Sequence, residues 1–73
     1  MVEILLLVEG TDVDMEALRR QSLRNAKQLL FGRFGHGEIV HLGMNSFDDL
    51  AGALTDLSGV TGVTSITTLA LRR

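Results

Sequence analysis

The clearest pattern of apolar and polar positions lies in the second half of the chain. Apolar residues recur every three or four positions from Phe47 to Leu57, which predicts an amphipathic helix of about three turns. Ser46 and Asp49 have the spacing of a capping box, so we expect the helix to start there. Gly59 suits the left-handed conformation that ends many helices.

A strand follows this helix. Gly62 continues the turn, and Val63 to Leu71 is rich in Val, Ile and Thr, which pack well on a pleated sheet. Helix, tight turn and strand therefore form one unit.

The first nine residues are almost continuously apolar and end at a turn signal, Gly10-Thr11-Asp12, which predicts a central strand. Because successive side chains alternate between faces, Leu5 and Leu7 lie on one face of this strand. The other face receives Val2, Ile4, Leu6 and Val8. Such a strand requires cover on both faces.

A second helix is predicted after this strand, capped by Thr11 or Asp12 and running to about Leu30. Its expected buried stripe is Met15, Leu18, Ala26, Leu29 and Leu30. Residues 31–37 contain three glycines and predict a turn-rich connection, within which a short edge strand is an open alternative. Residues 38–43 predict the next strand.

Two helices in this order can cover only one face of a small sheet, because right-handed crossovers place both on the same side. The sequence therefore predicts an α+β fold, a ferredoxin-like β-α-(β)-β-α-β sandwich with a short or vestigial second strand, as a single domain over residues 1–73. A three-stranded parallel sheet with one helix on each face ranks second, since three short parallel strands make a poor sheet.

In the ferredoxin-like arrangement Leu5 and Leu7 face water. Leaving two leucines exposed forgoes about 3–6 kcal/mol, which is a large share of the stability of so small a domain. We therefore expect a homodimer or larger oligomer packed through the sheets, with Leu5, Leu7 and His41 at the interface.

Composition narrows the function classes. The 73 residues include no cysteine, which excludes a disulfide framework and thiolate chemistry and is compatible with a cytoplasmic location. The formal net charge of −2 makes nucleic acid an unlikely partner. The apolar run of residues 4–8 is too short to span a membrane. We expect no membrane association and no cofactor.

Four parts of the second half of the chain resemble a known pattern. They are Gly37-Glu38-Ile39-Val40-His41-Leu42, the leucines at 50, 54 and 57, the Gly59-Val60 turn and the closing Thr64-Ser65-Ile66-Thr67-Thr68-Leu69. They are similar to the effector domain of the leucine-responsive regulatory protein and AsnC family, over roughly residues 35 to 71. The resemblance implies a ferredoxin-like domain that dimerises through its sheets and holds a small effector, such as an amino acid, at subunit interfaces.

His36, Glu38 and His41 have the types and spacing of metal ligands. On a strand, however, His36 and Glu38 point one way and His41 the other, so we predict no metal site.

The glycine-rich segment between Gly32 and Gly37 follows a helix and leads into a strand, the reverse of a phosphate-binding loop. Its glycines would still let a ligand approach the backbone. Our candidate ligand-binding residues are Arg33, Gly35, His36, Gly37, Glu38 and His41.

Three functional hypotheses follow. The first is a non-catalytic dimeric or larger module that binds a small effector or a protein partner at subunit interfaces. The second is a small dimeric ferredoxin-like enzyme with His36 or His41 as the acid–base group. The third is a structural unit whose only function is assembly.

Overall fold

The computed structural model describes residues 2–26, 28–35 and 37–72. Four antiparallel strands and two helices form a small α+β fold, compatible with a ferredoxin-like fold. The sheet order is β2-β3-β1-β4. The elements are β1 (Val2–Gly10), α1 (Met15–Asn25), β2 (Gln28–Phe34), β3 (Gly37–Met44), α2 (Asp49–Ser58) and β4 (Val63–Arg72). The three-stranded parallel alternative is wrong.

Strand β1 lies in the middle of the sheet and supplies one wall of the core. Its alternate residues from Val2 to Val8 are buried, together with Leu18 of α1 and Leu57 of α2. Because both helices contribute to this single cluster, they cover the same face of the sheet. The opposite face, which we call the open face, carries the other half of β1, including Leu5 and Leu7.

Strand β2 was expected to be short or vestigial, and that prediction is wrong. Gln28–Phe34 has seven residues and pairs with β3 along its whole length. Helix α1 accordingly ends at Asn25 rather than near Leu30, because backbone pairing with β3 outweighs the apolar spacing that suggested helix. Of the predicted stripe, Leu18 is buried but Met15 is exposed. The side chains of Leu29 and Leu30 lie outside the described part.

Both predicted helix caps are displaced along the chain. Asp14 caps α1, since its Oδ1 accepts a hydrogen bond from the Ala17 N–H at 3.0 Å. Helix α2 begins at Asp49 and receives no side-chain cap hydrogen bond from Asp48; the Ser46 Oγ accepts from the Asp48 N–H at 3.1 Å instead. With this later start, Phe47 precedes the helix and is exposed.

The turns that end β1 and begin β4 are in direct backbone contact. The Thr11 N–H donates to the Gly62 carbonyl, and the Asp14 N–H donates to the Thr61 carbonyl, each at 3.0 Å. A Cβ added to Gly10 would collide with the Gly62 carbonyl. Gly62 also has φ +93°, whereas Gly59, the residue expected to be left-handed, has φ −81°. We call this contact the glycine joint.

We predict that Gly62→Ala destabilises the protein by about 2–4 kcal/mol. The new Cβ would lie 2.6 Å from the Thr11 carbonyl oxygen, and alanine is strained at this φ. Gly32→Ala is the matched control, because nothing lies within 4 Å of its added Cβ. The free energy of unfolding in urea tests this difference, and equal losses in the two variants would contradict the glycine joint.

We also predict that Asp14→Ala lowers the free energy of unfolding by about 1 kcal/mol, since it leaves the Ala17 N–H without its cap. Ser46→Ala removes an exposed hydrogen bond outside α2 and should cost about 0.5 kcal/mol or less. Urea titration of both variants gives the comparison. A larger loss of stability for Ser46→Ala than for Asp14→Ala would contradict this assignment and support the capping box predicted from the sequence.

Candidate functional site

The hairpin of β2 and β3 brings two of the predicted ligand-binding residues together. Arg33 and Glu38 are directly opposite in the antiparallel register, and Arg33 Nε lies 3.2 Å from Glu38 Oε1. The two side chains differ in environment, since 82% of Arg33 is exposed but only 14% of Glu38. The Glu38 side chain is therefore largely buried while the Arg33 side chain is mostly in solvent, an arrangement in which a ligand could replace or supplement the arginine.

A cavity of about 240 Å³ opens beside this ion pair. Its walls come from the end of β1, the connection to α1 and the β2–β3 hairpin. The residues that matter for its chemistry are Asp12, Val13, Met15, Arg33, Gly37 and Glu38. One cation and two carboxylates thus surround a small space with an apolar side. A space of this size suits a small polar ligand, because drug-sized ligands occupy pockets of roughly 300 Å³ or more.

Gly37 permits the close approach of β3 to β1 next to this cavity. A Cβ at position 37 would lie 2.7 Å from Leu7 Cδ1 and 3.1 Å from the Val8 carbonyl oxygen. Gly35 turns the hairpin with φ +62°, in the left-handed region. Both glycines therefore have backbone roles in shaping this end of the sheet. His36, the remaining residue of the predicted loop site, lies outside the described residues.

His41 does not join this cavity. It pairs with Leu5, whereas Glu38 pairs with Val8, so His41 lies on the open face and Glu38 on the helix-covered face. His41 Nε2 lies 3.8 Å from Glu3 Oε1. Among the described residues, no group of three or more His, Asp or Glu side chains could hold a metal ion.

The centre of the open face is apolar. Leu5 and Leu7 of β1 and Ile39 of β3 are half-buried there, with Ile39 directly opposite Leu7 in the register. The expectation that the leucines face water without cover is therefore too strong, because side chains on neighbouring strands shield part of each. Glu3 lies at one end of this patch, where its second carboxylate oxygen is 3.6 Å from Arg72 Nε.

Sequence reasoning missed Asp12, Val13 and Met15 as cavity residues. It assigned Asp12 to a helix cap and Met15 to the core. They reach the cavity because β1 and β3 are antiparallel, which places the end of β1 beside the start of β3. Asp12 also has φ +49°, an uncommon conformation for a residue other than glycine. Only the pairing register, which local patterns do not encode, could have shown this juxtaposition.

Comparisons of the chain with protein-family models, curated proteins and solved structures found no match. In the part of the chain that the structure describes, neither helix has the length and apolar character needed to cross a membrane.

Proposed function

We propose that the chain is a non-catalytic ferredoxin-like module that binds a small ligand bearing both an ammonium and a carboxylate group, such as a free amino acid. The ligand would occupy the cavity between Asp12, Arg33 and Glu38. The observation that carries the proposal is the largely buried Glu38 carboxylate in the cavity wall, paired with a guanidinium that is itself mostly in solvent.

The charges of the cavity match both ends of such a ligand. A ligand ammonium placed near Glu38 and Asp12 would interact with two carboxylates, and charge-assisted hydrogen bonds of this kind are among the strongest in proteins. The Arg33 guanidinium is suited to a carboxylate, which it can bind through two parallel hydrogen bonds. The half-buried Val13 leaves an apolar wall for the rest of the ligand.

Self-association through the open face is the second part of the proposal. The four-stranded sheet with both helices on one side is compatible with a ferredoxin-like sandwich, and it leaves Leu5, Leu7 and Ile39 without helical cover. A second copy packed sheet to sheet would bury these apolar side chains. His41 would lie at the edge of this contact. The resemblance of residues 35–71 to effector domains of the leucine-responsive regulatory protein family is a separate reason for proposing such a dimer.

We predict that Glu38→Gln weakens amino-acid binding at least about tenfold, because it removes the buried charge that faces the ligand ammonium. Glu16→Gln is the matched control, since Glu16 is an exposed glutamate in the first turn of α1. Isothermal titration with a panel of free L-amino acids measures both variants against the unmodified chain. The proposal fails if no amino acid binds at millimolar concentration, or if Glu38→Gln binds as tightly as the unmodified chain.

We predict that Leu5→Gln lowers the average mass of the assembly that the chain forms in solution, because a polar amide in the centre of the open face opposes sheet-to-sheet packing. Leu23→Gln makes the same chemical change at an exposed leucine of α1 and should leave the mass unchanged. Sedimentation equilibrium at micromolar concentrations gives both values. Identical masses for Leu5→Gln and the unmodified chain would contradict association through this face.

A further inference from the structure

Strand β4 is an outer edge of the sheet, and two usual protections of an edge, charged residues and proline, are missing from most of its length. The residues from Val63 to Leu71 include no charge and no proline, and most of them are exposed. Edge strands in stable monomers are normally short, charged or interrupted by proline, because their free backbone groups otherwise pair with another chain. The opposite edge strand, β2, carries Arg33.

The same edge carries a groove and an apolar side chain at its two ends. The groove, of about 380 Å³, lies at the start of β4 between that strand and α2, and it is lined by Leu54, Val63 and Ile66 among others. The side chain is Leu71 near the end of β4, which is 44% exposed. Leu71 pairs with Ile4 and Ile66 pairs with Val8, so both lie on the helix-covered side of the sheet.

We infer that a second copy of this chain pairs antiparallel along β4, about a twofold axis that passes between Thr68 and Leu69. Each Leu71 then lies opposite the partner's Ile66 and fills the partner's groove. This register also sets Ala70 opposite the partner's Thr67. In both pairs the two residues belong to the same face of the sheet, as strand pairing requires.

The charges at the strand ends fit the same register. Arg72 lies opposite the partner's Ser65, and within each chain Ser65 is paired with Glu9 of β1. Neighbouring strands are roughly 4.8 Å apart, so Arg72 can reach the partner's Glu9 across the small serine. Arg72 is 82% exposed in the single chain, and Glu9 is exposed with the Ser65 hydroxyl 3.5 Å from its Oε1.

A β-bulge lies next to the proposed twofold axis and makes the pairing between the two copies uneven along β4. Leu69 is the extra residue between Thr68 and Ala70, where the register of β4 against β1 shifts. Bulges increase the local twist of a strand. The contacts are therefore expected to be strongest on either side of the axis, at Leu71 with the groove and at Arg72 with Glu9.

This edge contact is separate from the open face proposed above. It joins two four-stranded sheets into one of eight strands and leaves Leu5 and Leu7 uncovered on the joined sheet. The two contacts can therefore be tested independently. The first test uses chains that already carry Leu5→Gln, so that the remaining association reports on the edge alone.

In the Leu5→Gln background, sedimentation equilibrium should show a dimer. Adding Leu71→Lys should raise its dissociation constant at least about tenfold, because it removes the side chain that fills the groove and adds a charge to the edge. Adding Leu23→Lys, at another exposed leucine, on α1, should leave the constant unchanged. A monomeric Leu5→Gln chain would overturn the inference, as would a Leu71→Lys dimer of undiminished strength.

A second test does not depend on Leu71. Glu9→Arg and Arg72→Glu chains, each in the Leu5→Gln background, should self-associate weakly because like charges meet twice in each homodimer. An equimolar mixture should form a heterodimer about tenfold or more tighter than either homodimer, since both contacts then join opposite charges. A mixture that associates no better than its components would overturn the Arg72–Glu9 contact and the register.

Discussion

The structure depends on one constraint, which is that β1 is apolar on both faces while the helices cover only one. The covered face, with Ile4 and Leu6 fully buried, supplies the centre of the core. A chain of 73 residues can bury only a small core, so the apolar area of β1 is a large share of what stabilises the domain. Leu5 and Leu7 are only half-buried within the single chain. Because the helices leave this second face uncovered, we expect the chain to associate with itself.

The end of β1 also determines where the cavity forms. The glycine joint fixes the direction in which the chain leaves β1, because the backbones at Gly10 and Gly62 approach too closely for any side chain. The connection to α1 then passes beside the β2–β3 hairpin and brings Asp12 to the pair of Arg33 and Glu38. The proposed ligand site and the stability of the fold therefore depend on the same turns, so a ligand bound in this cavity would also stabilise the joint.

Patterns along the sequence predicted β1, β3, α2 and β4, because each has a periodicity that local chemistry determines. They failed for β2, where residues 28–30 continue the apolar spacing of a helix but pair with β3 instead. They also misplaced the caps by two or three residues, since several residues near each helix start can accept a hydrogen bond. Arg33, Gly37 and Glu38 were identified as candidates, but the contribution of Asp12 required the register. The groove beside β4 likewise arises only when α2 packs on the sheet.

We propose that the apolar surface left by this fold is covered by other copies of the same chain. The most direct measurement is the mass of the unmodified chain in solution, determined by light scattering over a dilution series into the low micromolar range. We expect a dimer or a larger species that dissociates on dilution. A mass equal to that of one chain at every concentration would contradict it, because Leu5, Leu7 and the β4 edge would then be stable in water.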